Sequence, residues 1–228
     1  MIRGLIFDFD GLIVDTESTV YQSWQEVYRE YGQDLPFEEW GQIIGTSQNE
    51  HFDPVERLET RLGRRFENSE MLKERRLQRE MVLVARQPIL PGVEEYLKDA
   101  KRLSLKLAIA SSSDRDWVAG HLENFGLIHY FDVIHTSDDV EHTKPAPALY
   151  QLALESLMLK PGEAIVLEDS PNGVTAAQRA GIFCVAVPNP LTRLLPLDHA
   201  DMRLDSLADM LLEALIDNVQ SVGNSPQG

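Results

Sequence analysis

The run IFDFDGLIVDTES, residues 6–18, decides how this chain is read. It places Asp8, Asp10 and Asp15 close together, the first two where an apolar run stops. Like charges so near each other repel, so folding alone does not select them. The run that delivers them, GLIFDF (4–9), is apolar at nearly every position. That marks a strand buried on both faces, as in a parallel sheet.

Four more runs share this character: LKLAIAS (105–111), FDVIHT (131–136), EAIVLE (163–168) and IFCVAV (182–187). From the second onward helical patterns separate them. DRDWVAGHLENFG ends at Gly126, PALYQLALESLML stops before Pro161, and PNGVTAAQRAG closes at Gly181. Strand and helix in alternation predict an α/β fold, a doubly wound Rossmann-like parallel sheet.

The first strand breaks the rhythm. Residues 16–86 carry no strand pattern and read as helices over 16–31, 36–44, 48–63 and 68–86. Gly32, Pro36, the GTS turn at 45–47 and Gly63 separate them. A block this long is not a loop. It reads as an all-helical cap inserted after strand one, with hinges near 11–16 and 85–91. The expected division is an α/β core of 1–15 and 87–218, a cap of 16–86, and a polar, frayed tail of 219–228.

Composition narrows the partners. The 228 residues carry a formal net charge of −16, which argues against nucleic acid and anionic membranes. A small anionic substrate then needs a bound cation or a few placed basic residues. Ten of the 21 Lys and Arg lie between Arg29 and Arg86, where solvated helix faces with i,i+4 pairs are expected. Cys184 is the only cysteine, so no intramolecular disulfide can form, which fits a reducing compartment. It is read as an inert core residue. No export signal or membrane-length apolar run is visible, and the expectation is a cytoplasmic monomer.

In open parallel sheets ligands bind beyond the carboxyl ends of the strands. Strand one ends in Asp8 and Asp10, strand two in SSSD from Ser111, and strand four in Glu168, Asp169 and Ser170. The loop TKPAP brings Lys144 to the same edge. Strand alternation points Asp8 and Asp10 the same way. With Glu168 or Asp169 they make a hard oxygen site suited to Mg²⁺. Ser111 can donate to a phosphoryl oxygen and Lys144 can supply charge. These are the parts of a phosphoryl-transfer site in which a carboxylate can be the nucleophile.

DFDGLIVDTE, IASSS, TKPAP and LEDSPNGVTAAQRAG, in that order, resemble the four signatures of the haloacid dehalogenase superfamily. With its cap, the chain looks most like the phosphoglycolate phosphatase and β-phosphoglucomutase branch. The resemblance implies that Asp8 is the nucleophile and Asp10 the acid/base. Ser111 and Lys144 would hold the phosphoryl group. Asp8, Asp169 and the Asp10 carbonyl would ligate Mg²⁺, with Glu168 serving it directly or through water. Asp15 and Thr16 are assigned to the hinge and the first helix cap.

With an acid at residue 10, the pattern is similar to that of the superfamily's phosphatases and phosphomutases. Mutases similar to β-phosphoglucomutase carry a His in the first cap helix and an Arg in a cap loop. Here Val20 and Gln48 stand in those places, which favours hydrolysis of a small phosphorylated metabolite. A sugar phosphomutase and a non-catalytic binding protein are the alternatives. Glu17, Thr46, Ser47 and Gln48 are the cap's candidate substrate contacts. Ser112 and Ser113 are read either as helix caps or as facing substrate. Asn172 and Gly173 are assigned to a turn, His51 to the surface, and Trp24, Trp40 and Trp117 to core or interface packing.

Overall fold

Each expected strand forms, and each is shorter than its apolar run. The computed structural model describes residues 1–44 and 53–223. The strands are β1 (Gly4–Phe7), β2 (Lys106–Ala110), β3 (Val133–His135), β4 (Ala164–Glu168), β5 (Phe183–Ala186) and β6 (Met202–Arg203). They form one parallel sheet in the order β3-β2-β1-β4-β5-β6. The sixth strand was not expected, because two residues are too few to show a pattern.

After β1 come α1 (Thr16–Glu30), α2 (Phe37–Trp40), α3 (Pro54–Leu62), α4 (Ser69–Val84) and α5 (Val93–Arg102). Then follow α6 (Arg115–Asn124), α7 (Ala148–Leu157), α8 (Pro171–Arg179) and α9 (Leu212–Gly223). Leu5, Phe7, Leu107, Ile109, Ile165 and Leu167 enter one core cluster with α5, α6 and α9. Ile6, Ala108, Ala110, Ala164 and Val166 enter another with α7 and α8. Successive strand residues thus face opposite, equally buried sides, which is why the runs are apolar throughout.

Residues 219–223, expected to fray, instead continue α9. Leu212, Leu215 and Val219 recur at helical spacing and are buried against the sheet. The polar composition of the segment concealed this face.

The helices α1–α4 build a third cluster around Trp24, Tyr28, Trp40, Ile44 and Leu58. The expected helix 36–44 shortens to Phe37–Trp40, and the described part of the expected helix 48–63 is helical over Pro54–Leu62. The GTS turn, His51 and residues 48–52 lie outside the described residues. Asp15, Asp53 and Asn68 cap α1, α3 and α4 through their side chains. The basic residues pair differently from the expectation. Arg75 and Arg79 reach from α4 to Glu30 and Glu26 on α1, and Arg57 and Arg61 reach from α3 to Glu39 on α2. Among the described residues of this group, only Arg76–Glu80 is an i,i+4 ion pair.

The two chain crossings between the helical region and the sheet pair with each other. Val14 bridges Ile89, and Leu90 N donates to Ile13 O at 2.9 Å. The core also reaches across: Leu191 and Leu195 pack on the cap cluster, and Asn172 Nδ2 donates to Ile44 O at 2.8 Å. Among the described residues, no helix is long and apolar enough to cross a membrane.

Candidate active site

β1 lies between β2 and β4, so successive crossovers leave it in opposite directions and open a crevice at its carboxyl end. The register aligns Phe7 with Ile109 and with Leu167. The next residues along each strand therefore meet at one edge, and these are Asp8, Ala110 with Ser111, and Glu168 with Asp169.

Lys144 enters from the loop before α7. It is only 1% exposed. Its Nζ donates to Asp8 Oδ1 at 2.5 Å and to Glu168 Oε1 at 2.6 Å. It also lies 5.0 Å from the centre of the Tyr150 ring. Glu168 is well supplied with donors. Tyr150 Oη also donates to Oε1, at 2.9 Å. Oε2 accepts from Asp169 N at 2.8 Å, Ser170 N at 2.9 Å and Ser170 Oγ at 3.1 Å. A carboxylate has about four lone-pair sites, so Glu168 has little left to offer a ligand. Gly173, assigned to a turn, sits in the first turn of α8, where any Cβ would overlap the Glu168 carboxylate. Asn172 beside it is a contact to the cap.

Asp169 is oriented by Asn189, whose Nδ2 donates to Asp169 Oδ2 at 2.8 Å and to Gly11 O at 3.2 Å. Gly11 has φ +79°, and a Cβ there would collide with Asp169 and Asn189. The glycine after Asp10 is therefore required twice, for the turn and for the close approach.

Asp8, Glu168 and Asp169 are all buried, and one carboxylate oxygen of each lies within 4.8 Å of the others. Burial pushes the Asp8 carboxyl up to about 8. Lys144 opposes that shift, while Glu168 and Asp10 add to it. Burial, then Glu168 and Asp8, also drive Asp169 upward. Burial works against the Lys144 ammonium too, yet Asp8 and Glu168 outweigh it and raise its pKa. One lysine thus faces three buried acids. The donor set is all hard oxygen and short of positive charge, so it fits a small divalent cation.

Asp10 has a separate set of partners. β1 ends at Phe7, so strand alternation does not extend to Asp10. Its Oδ1 accepts from Thr16 Oγ1 at 2.8 Å and from Trp117 Nε1 at 2.8 Å. Its Oδ2 accepts from Ser113 Oγ at 2.6 Å and Ser111 Oγ at 3.2 Å. Thr16 is thus more than a hinge residue. Ser113 is not the helix cap, because Asp114 caps α6 by accepting from Trp117 N at 2.8 Å. Ser112 is half-buried at the same turn. Glu17 is half-buried at the start of α1; burial, with Asp10, Asp8 and Asp15, raises its carboxyl well above the usual range. Thr46, Ser47 and Gln48 lie outside the described residues.

Three contributors escaped the sequence reading. Tyr150 lies within PALYQLALESLML, a run that marks only a helix, and Trp117 reads as packing. Asn189 follows β5 with no motif around it, and its only signal was its place beyond a strand's carboxyl end. Cys184 is fully buried and burial raises its thiol pKa, as befits an inert residue.

Fold and site together define a doubly wound α/β enzyme with an acidic, metal-competent centre. The sequence model of the haloacid dehalogenase-like hydrolases matches residues 5–187, a span that includes every site residue named above except Asn189. YhcW of Bacillus subtilis is 47% identical over 221 residues, covering 97% of this chain and 99% of that protein. The phosphorylated carbohydrates phosphatase of Thermotoga maritima is 32% identical over 193 residues, 79% of this chain and 82% of its own. Among solved structures, CbbY from Rhodobacter sphaeroides in complex with phosphate aligns with a TM-score of 0.73 at 30% identity, covering 92% of this chain and 96% of that one. The chain belongs to the haloacid dehalogenase-like hydrolases, and it is a phosphatase of that family.

Proposed function

We propose that the protein hydrolyses a small phosphate monoester, of the sugar-phosphate or phosphoglycolate kind, with Mg²⁺ as cofactor and Asp8 as nucleophile. The observation that carries this is the buried group of Asp8, Glu168 and Asp169 around Lys144. Asp8 Oδ2 would attack phosphorus while Lys144 holds Oδ1. Asp10 would protonate the departing oxygen and then take a proton from the water that attacks the aspartyl-phosphate. Ser111 would donate to a phosphoryl oxygen. Asp8, Asp169 and the Asp10 carbonyl would hold the metal, while Glu168, already engaged by its donors, would anchor Lys144. Bound there, Mg²⁺ would neutralise charge developing on the phosphoryl oxygens.

Residues 16–86 would act as the cap that closes over the substrate and excludes water, on a core of 1–15 and 87 onward. Glu17, and Thr46, Ser47 and Gln48, are the proposed contacts to the rest of the substrate. The sugar class is supported by the Thermotoga relative's action on phosphorylated carbohydrates. Hydrolysis rather than mutase chemistry is supported by Val20, a non-titrating side chain buried in the cap cluster.

The test is phosphate release from a panel of sugar phosphates, phosphoglycolate and an aryl phosphate. The Asp8→Asn variant is expected to lose at least about a thousandfold in turnover, and EDTA to abolish the wild-type rate. Activity that survives both overturns the reading.

A further inference from the structure

Asp10 is surrounded by four donors, and one differs in kind from the rest. Thr16, Ser111 and Ser113 offer hydroxyls, which can turn to donate or accept. Trp117 offers an indole N–H, which only donates. It does so to Oδ1 at 2.8 Å. The ring is held in place by an edge contact with His121, at 4.4 Å between centroids and 77° between planes. His121 in turn stacks on Phe9, the residue before Asp10. The indole is therefore braced against the same turn that carries the carboxylate.

We infer that Trp117 is a positioning residue for Asp10, holding Oδ1 as an acceptor so that the proton Asp10 carries resides on Oδ2. A donor-only partner at Oδ1 disfavours a proton on that oxygen, whereas the Ser111 and Ser113 hydroxyls at Oδ2 can rotate to accommodate one. Oδ2 is also the oxygen beside Ser111, where the phosphoryl group would lie. The inference rests on the proposed role of Asp10 as acid and base. As the bond from Asp8 to phosphorus forms and the ester P–O bond breaks, the Oδ2 proton passes to the departing oxygen and leaves Asp10 ionised. Water then attacks phosphorus, the Asp8–phosphorus bond breaks, and the water's proton returns to Oδ2.

The test exploits the leaving group. A p-nitrophenolate departs without protonation and an alkoxide does not, so loss of a well-placed acid should penalise only the alkyl ester. Trp117→Phe keeps a ring and removes the N–H. For it, kcat/KM with an alkyl phosphate turned over by the wild type is expected to fall about tenfold. With p-nitrophenyl phosphate it should stay within about twofold. Asp10→Asn should show the same selectivity with a larger alkyl loss, about a hundredfold. If the phenylalanine packs poorly, Trp117→Met is read in the same way. Equal losses on both esters, or no loss on either, beside a selective Asp10→Asn, overturn the inference alone. An Asp10→Asn variant without selectivity overturns the acid assignment and the inference with it.

Discussion

The carboxyl edge of the sheet and the helical region above it are held together by different forces. At the edge, charged groups are buried and mutually engaged, with Lys144, Asp8 and Glu168 joined at hydrogen-bond distance. In the helical region the interior is apolar and most ion pairs are half exposed, such as Arg79–Glu26 and Arg75–Glu30. Exposed pairs contribute little stability, whereas a buried pair costs heavily when one partner is removed. The edge is therefore intolerant of change. The helical region keeps its shape by packing, which on the proposed reading leaves its lining freer to set which ester is accepted.

The sharpest way to break this contrast is at Lys144. Lys144→Met strands two buried acids, and a stability loss of roughly 3–5 kcal/mol is expected. Urea melts should show it, together with loss of phosphate release. A loss below about 1 kcal/mol would mean that the edge is as tolerant as a surface.

In the helical region, Leu58 is fully buried. Leu58→Ala is expected to cost about 2–4 kcal/mol through the cavity it leaves. With a sugar phosphate, KM should rise more than kcat falls, since the Lys144 cluster is untouched. A kcat collapse with unchanged KM would show that the two regions are not separable in this way.

A smaller effect is expected at Glu80, which pairs with Arg76 in the helical region. Burial raises its carboxyl to about 7, with Arg76 opposing and Asp10 adding to the shift. The folded state then holds that proton more tightly than the unfolded chain. Stability from this group is therefore full below the ordinary value of 4.5 and is lost as pH rises toward about 7. Thermal melts of wild type and Glu80→Gln between those limits should show the wild type losing ground as pH rises, by no more than ~3 kcal/mol. Parallel curves would refute it.

Much of the edge was legible because each acid, hydroxyl or lysine follows a run whose apolar continuity reveals a buried strand. Asp8, Ser111, Glu168 and Asp169 are placed by sheet register, which the runs largely determine. Trp117, Tyr150 and Asn189 were not legible, because helix packing and loop geometry bring them to the site. The ion pairs of the helical region were misjudged for a similar reason. Spacing along one helix predicts i,i+4 pairs, while the fold set α1 against α4 and gave the arginines partners across the gap. The last turn of α9 was hidden by its polar face.

The central claim is that Asp8 accepts the phosphoryl group. Its most direct test is a rapid acid quench during turnover of a ³²P-labelled sugar phosphate, followed by borohydride reduction and peptide mass spectrometry. An aspartyl-phosphate at Asp8 would be reduced there to homoserine, and the label should appear on the protein before it appears as free phosphate. Label on a different residue, or full-rate phosphate release with no labelled protein at any quench time, would contradict it.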